Sequence, residues 1–347
     1  MSVIGGLVDA LIRDEEVAAH FSEEAEIAAM LRVEVALARA QARLGIIERQ
    51  AAEDIAEVSA TLRPDLAAIR SGMARDGVPV PALVKALRSA LGEPYGADVH
   101  KGATSQDIID TGLMLRLQTV FGLFEERLDS VIRLIDETAL DQGPTSLMAH
   151  TRMQAALPFT GADKLATWRQ PLQSHRARLI QLRQDLPIQL GGPIGTGGSF
   201  GTQYRRLRAD MAQALALRDA APWHSDRTVV LDAAQAFATL TGTMGKIGQD
   251  LGLMAQAGTV ALAGGGTSSA MAHKQNPVGA ELLVTLARLN AGLLGTVAQS
   301  IVHENERSGA AWTLEWLVLP QMACAAGSAL LRAQQLLSGL QFRATRG

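Results

Sequence analysis

The sequence predicts an all-α fold built as a long-helix bundle, and three observations carry that expectation. Hydrophobic residues make up 48% of the chain while aromatics are only 4%, so the apolar mass is Ala, Leu, Val, Ile and Met, a mixture that favours helices over sheets. Helical periodicity runs almost free of internal proline through 106–140, 160–186, 202–221, 228–263, 277–304 and 314–340. Several of these runs exceed an ordinary globular helix, as bundle helices that bury one another's faces do. Finally, Gly and Pro gather in the joints: Gln142-Gly143-Pro144, Gly191-Gly192-Pro193 through Gly198, and a glycine-rich stretch before Pro277.

The elements before this bundle are shorter. Ser22 followed by Glu23 and Glu24 reads as an N-cap with acids in the first turn. Ile27, Met30, Leu37 and Leu44 fall on one face, and Gly45 stops the helix. A second helix is expected over about 50–73. Asp76-Gly77-Val78-Pro79-Val80-Pro81 breaks the pattern, a short helix follows over 82–91, and Gly92-Glu93-Pro94-Tyr95-Gly96 closes the unit. The division expected is a small N-terminal helical domain at 1–98, a central bundle at 99–340 and a short tail at 341–347.

With 347 residues the chain is long enough for a large core. Its net charge of −3 gives no reason to expect nucleic acid as a partner. The single cysteine, Cys324, lies in an apolar run and is expected as a buried thiol. The first residues carry Asp9 and Asp14 and lack a basic segment leading into an apolar core, so no secretory signal is read there. The uncharged stretch 251–272 is too rich in Gly, Ser, Thr and Gln for a membrane span. A cytoplasmic protein without a membrane partner is the expectation.

Chemistry-bearing side chains concentrate in the joints. The first is His100-Lys101-Gly102-Ala103-Thr104-Ser105-Gln106-Asp107: Thr104 or Ser105 can cap the helix that follows, and the same geometry aims N–H groups and hydroxyls at an anion. The second is His150-Thr151-Arg152-Met153-Gln154-Ala155-Ala156-Leu157-Pro158, where Arg152 suits a bidentate grip on a carboxylate, its bland counterpart being a salt bridge in the bundle. The third is Gly264-Gly265-Gly266-Thr267-Ser268-Ser269-Ala270-Met271-Ala272-His273-Lys274-Gln275-Asn276-Pro277, a loop able to approach a ligand closely, with Pro277 suited to open a helix. Pro222-Trp223-His224-Ser225-Asp226-Arg227 and His303-Glu304-Asn305-Glu306-Arg307 add further candidates, while Trp312 and Trp316, four apart, read as core or subunit packing.

The third joint resembles the signature loop of the fumarase/aspartase superfamily, Gly-Ser-Ser-x-Met-Pro-x-Lys-x-Asn-Pro, departing at Thr267 and Ala272. The first resembles the superfamily's His-x-Gly-x-Thr-Ser-x-Asp segment, and Asp110-Thr111-Gly112 continues the match. At the second joint the family pattern Arg-Thr-His-x-Gln-x-Ala-x-Pro has its arginine and histidine exchanged, which resembles the cycloisomerase branch rather than the adenylosuccinate branch. The resemblance implies long-helix subunits of the fumarase/aspartase type, homotetramers whose active sites are shared between subunits, and a polycarboxylate substrate. It implies proton transfer by Ser268, dianion stabilisation by Lys274, and a second proton-transfer or binding role for His100. It further implies carboxylate binding by Thr104, Ser105, Arg152, Gln154, Arg227, Ser269 and Asn276, with neither metal nor organic cofactor. Because the chain ends at Gly347, soon after the last bundle helix, the family's C-terminal domain is expected to be missing or truncated.

The activity implied is lactone closure on a carboxylated muconate. The alternatives are an adenylosuccinate-type C–N lyase, a cycloisomerase for a differently substituted muconate such as a sulfo derivative, and a non-catalytic structural member. Competing motifs fail: Ser269 and Phe200 stand where dinucleotide fingerprints need Gly or Ala, the serine-hydrolase elbow is absent around Ser268, and His303-Glu304 lacks a second metalloprotease histidine.

Overall fold

The computed structural model describes residues 6–262, 265–267, 271 and 275–344. Short helices α1 (Asp9–Ile12) and α2 (Glu15–Ala19) lead into α3 (Glu23–Arg43), α4 (Arg49–Thr61), α5 (Leu66–Asp76) and α6 (Val80–Leu91). Then come α7 (Ser105–Gln142), a hairpin of β1 (Ser146–Thr151) and β2 (Gln154–Thr160), α8 (Gly161–Gln184) and α9 (Tyr204–Leu215). The chain continues through α10 (Thr228–Gln256), β3 (Val260–Ala261), β4 (Gly266–Thr267), β5 (Gln275–Asn276), α11 (Val278–Gln299), α12 (Gly309–Ser338) and β6 (Gln341–Phe342). The all-α expectation holds, since the strands pair only in antiparallel twos: β1 with β2, β3 with β6, β4 with β5.

The bundle is α7, α8, α10, α11 and α12, with α10 packed on α8, α11 and α12, and α7 packed on α8 and α12. Small residues set the closest crossing: a Cβ on Gly245 of α10 would stand 2.5 Å from that of Ala287 in α11, closer than side-chain atoms approach. Phe237 of α10 meets Phe121 and Phe124 of α7 with ring centroids 5.7 Å apart in both pairs, a favourable tilted geometry. The N-terminal unit is not set apart by a gap in packing: α3 lies on α7 and α9, and one continuous hydrophobic cluster runs through both regions. Arg127 of α7 ties the first residues down by pairing with Asp14 and with Glu16, at 2.7 Å from the latter.

The helix starts follow local chemistry. Ser22 caps α3 by accepting from the Ala25 N–H, as the sequence indicates, and Ser308 caps α12 in the same way through Ala311. The helix expected over 50–73 is broken between α4 and α5 around Pro64, whose ring and missing N–H cannot continue a helix interior. The expected runs 202–221, 228–263 and 277–304 end early, at Leu215, Gln256 and Gln299. Ala216 and Gly258 adopt left-handed φ values of 54° and 70° beyond the first two, a common helix stop. Trp312 is buried in the core.

By length and composition α11 and α12 could each cross a membrane, with mean hydropathy 1.3 over their most apolar windows. The α12 window is 61% buried within the bundle, as a core helix would be; that of α11 is 28% buried, leaving an apolar flank uncovered in a single chain.

Candidate active site

The N-terminal end of α7 gathers one group of candidate residues. Thr104 is its N-cap and Ser105 its first residue; Asp107, in the first turn, accepts from the Thr104 N–H at 3.0 Å. The same carboxylate is fully buried and also accepts from the N–H groups of Gly191 and Gly192, at 2.7 and 3.0 Å, and meets Nε2 of His224 at 3.1 Å. One acid therefore fixes three chain segments, the 100–105 loop, the glycine stretch at 191–198 and the 222–227 segment. The glycines are needed for that approach: a Cβ on Gly191 would lie 3.0 Å from both His224 and Pro222. Gln106 adds two ties, donating to the His224 carbonyl and accepting from Arg307 Nε.

His100 sits above this framework with a left-handed φ of 62°. Its Nδ1 lies 2.6 Å from Oε1 of Glu34, a carboxylate of α3 that is 2% exposed. A carboxylate accepts, so Nδ1 donates to it, and Nε2 is the ring nitrogen that Glu34 does not engage. His100 and Ser105 together line a cavity of about 410 Å³ whose other wall is α6.

Arg227 is where the structure corrects the sequence. It was expected to bind substrate, but it is wholly buried and bound to two carboxylates, Asp110 at 2.7 and 3.1 Å and Glu315 at 2.8 and 2.7 Å. Its guanidinium carbon also stacks 4.6 Å from the Trp223 ring centroid. Burial alone would lower its pKa, but Asp110 and Glu315 outweigh burial and hold it above the ordinary arginine value. With its donors spent on protein acids, Arg227 is a buried strut beneath the α7 end, not a substrate ligand. His303, near the same cluster, has its pKa lowered by burial first and by the Arg227 charge second.

The remaining candidates lie elsewhere. Arg152 and Gln154 are exposed residues at the turn of the β1–β2 hairpin, where Arg152 and Met153 take positive φ values of 48° and 67°. Asn276 is half-buried in β5, paired with Gly266. Ser268, Ser269 and Lys274 lie outside the described residues.

These groups belong to opposite ends of the bundle. Helix α7 has 38 residues, roughly 57 Å of helix at 1.5 Å per residue. Its start lies beside Arg307, just ahead of α12, whereas its last residue, Gln142, bonds Leu340 and Phe342 just past the end of α12. The hairpin leaves from that second end, and Gly279, three residues after Asn276, packs on Leu336 of α12. A seven-residue strand spans only about 23 Å. Arg152, Gln154 and Asn276 therefore do not meet His100, Thr104 and Ser105 within one chain.

Sequence reasoning missed Glu34, Asp107 and Glu315. Asp107 was recoverable, because Thr104-x-x-Asp107 is a capping-box spacing. Glu34 and Glu315 carry no local signal, lying 66 and 88 residues from the side chains they hold. Among the described residues no group of three or more His, Cys, Asp or Glu is placed to hold a metal ion.

Comparison with known proteins agrees with this architecture. A family model described as lyase matches residues 11–290. A 3-carboxy-cis,cis-muconate cycloisomerase of Pseudomonas aeruginosa is 36% identical across 98% of this chain and 76% of its own. A nitrosuccinate lyase of Streptomyces davaonensis is also 36% identical, across 99% of this chain and 76% of its own. The solved structure of 3-carboxy-cis,cis-muconate lactonizing enzyme from Pseudomonas putida superposes with a TM-score of 0.91 at 34% identity, covering 98% of this chain and 78% of that one. The fold, the motif joints and these likenesses together make the chain a member of the lyase family within the fumarase/aspartase superfamily.

Proposed function

We propose that the protein is a cycloisomerase converting 3-carboxy-cis,cis-muconate to 4-carboxymuconolactone, acting in the cytoplasm in the protocatechuate branch of aromatic degradation. The observation that carries this reading is Arg152. C–N lyases of the adenylosuccinate type use a histidine at that joint for proton transfer, and an arginine stays protonated and cannot exchange one. Held at an exposed hairpin turn, Arg152 can instead grip a carboxylate of a polyanion.

In the reaction a substrate carboxylate oxygen adds to the conjugated double bond, a C–O bond forms, and one proton is delivered to the carbon next to another carboxylate. The intermediate is an aci-carboxylate bearing two negative charges on one group. Preorganised donors and a cation at that group supply much of the rate. Ser268 moves the proton and Lys274 faces the developing dianion, while Ser269, Asn276, Thr104, Ser105 and Gln154 orient carboxylates. His100, oriented through Nδ1 by Glu34, is the second proton-transfer candidate.

The placement of His100, Thr104 and Ser105 at one end of the bundle and of Arg152, Gln154 and Asn276 at the other supports a site completed between subunits, and the uncovered apolar flank of α11 supports burial in a homotetramer. The test is the ultraviolet absorbance of 3-carboxy-cis,cis-muconate mixed with purified, metal-stripped protein. Decay of the diene band with lactone formation is expected. Parallel assays use adenylosuccinate, a sulfo-muconate and nitrosuccinate; turnover of one of these with the carboxymuconate left intact would replace this reading.

A further inference from the structure

We infer that Lys85 and Arg88 of α6 form a second carboxylate clamp, facing His100 and Ser105, that selects a tricarboxylate over a dicarboxylate substrate. The inference rests on the cycloisomerase reading for the identity of the substrate, and on the structure for the clamp.

The cavity at the start of α7 is lined by Val80, Pro81, Val84, Lys85, Arg88, Ser89, His100 and Ser105. Two cations, an imidazole and two hydroxyls line it, and among the described residues no acid does. Its volume of about 410 Å³ lies within the range of small-molecule sites and exceeds what a seven-carbon acid requires. Val80 and Val84 are buried where α6 meets the core, and Lys85 and Arg88 of the same helix are exposed.

The cations are available. Among the described residues Lys85 has no ion pair or hydrogen bond, unlike Lys101, which is paired with Asp98, and Lys164 and Lys246, which share Asp250. Arg88 spends one terminal nitrogen on the Val99 carbonyl at 2.9 Å and meets no carboxylate. That bond anchors the guanidinium at Val99, the residue before His100. Glu34 lies behind His100, whose Nδ1 already covers one of its oxygens. A field of one sign with unspent donors suits a substrate carrying more negative charge than Arg152 and Lys274 can neutralise.

One carboxylate of the proposed substrate must stay free to close the ring, and two can be held. Lys85 and Arg88 hold one of these; the hairpin and the signature loop hold the other and the reacting end. Loss of the clamp then weakens binding of a tricarboxylate and leaves a dicarboxylate almost untouched, a pattern that a merely structural role of α6 does not produce.

The probe is tricarballylate, an unreactive propane tricarboxylate, titrated calorimetrically against succinate for the full chain, Lys85→Met and Arg88→Met. Lys85 is exposed and makes no ion pair or hydrogen bond among the described residues, so Lys85→Met should keep the fold, and Lys85→Arg should restore binding. Expected are tricarballylate affinities roughly tenfold lower in Lys85→Met, as for loss of one charged contact, with succinate affinity within about twofold. The KM for 3-carboxy-cis,cis-muconate should rise in the same proportion, with kcat changed less. Unchanged tricarballylate affinity in Lys85→Met, or equal losses for both ligands, overturns the clamp. Lys85-dependent tricarballylate binding without muconate turnover upholds the clamp and sinks the cycloisomerase reading, so the two fail separately.

Discussion

Replacing Arg227 with methionine is the sharpest structural test, because it separates a buried strut from a substrate ligand. The side chain is wholly buried, and its removal strands two carboxylates, Asp110 and Glu315, that are themselves wholly or almost wholly buried. Asp110 keeps one donor, the Trp312 indole N–H at 2.9 Å, so it is not left bare. Removing one partner of a buried pair costs about 3–5 kcal/mol, and the retained indole bond places the estimate near 4. For 347 residues, an unfolding entropy of roughly 0.7 kcal/mol/K converts this to a fall in Tm of about 6 °C. The deficit should depend on pH in a defined direction. Burial already pushes the Glu315 carboxyl up, against the pull of Arg227. Without the cation, Glu315 binds a proton more readily folded than unfolded, so the variant loses stability as pH rises above the ordinary carboxylate range. Thermal melting of both proteins from pH 5 to pH 8 should show the gap widening. A variant that melts within 1 °C of the parent yet loses tricarballylate affinity would refute the strut and return Arg227 to the substrate.

Three further perturbations follow from the same geometry. Asp107→Asn presents an amide NH2 to N–H donors it cannot satisfy; it should cost roughly 2–4 kcal/mol, lower kcat/KM at least a hundredfold, and speed amide exchange at Gly191 and Gly192, whereas unchanged exchange there would contradict the organising role of the acid. Burial pushes the Cys324 thiol up to about 12, so iodoacetamide at pH 8 should alkylate the folded protein about a thousandfold more slowly than the unfolded chain; near-equal rates measured by mass spectrometry would count against the packing of α12. Burial first, and Arg178 second, lower the pKa of His175, whose Nε2 lies 2.8 Å from the Thr243 hydroxyl. Its unfolded form binds a proton more readily than its folded form, so its stabilisation is full above pH 6.5 and is lost as pH falls; His175→Gln should flatten the decline in Tm between pH 7.5 and pH 5.

What was legible in the sequence was local. Ser22 with its following acids, and Thr104 with Asp107 three residues on, mark helix starts because capping depends on neighbours within a turn. The bundle itself was legible because apolar periodicity persists through long runs without proline. The break at Pro64 should have been read, since the rule it obeys is equally local. The hairpin was hidden because its turn, Arg152-Met153, lacks the Asn-Gly or Asp-Gly pair that ordinarily marks two left-handed positions. Arg227 was misread because a motif match does not reveal what lies opposite a side chain, and Glu315 arrives from 88 positions away. The separation of the joints by the length of α7 was likewise invisible in spacing along the chain. It is also what ties this fold to the chemistry proposed, since residues proposed to serve one reaction lie towards the two ends of one helix.

In the proposed reaction one substrate carboxylate adds within its own molecule, and isotopes read that directly. Incubation of 3-carboxy-cis,cis-muconate with the protein in D2O, and separately in H2(18)O, is followed by NMR and mass spectrometry of the product. The expected product is a lactone with one carbon-bound deuteron next to a carboxylate and no oxygen from solvent. A product carrying solvent oxygen on carbon, or no lactone at all, would contradict it.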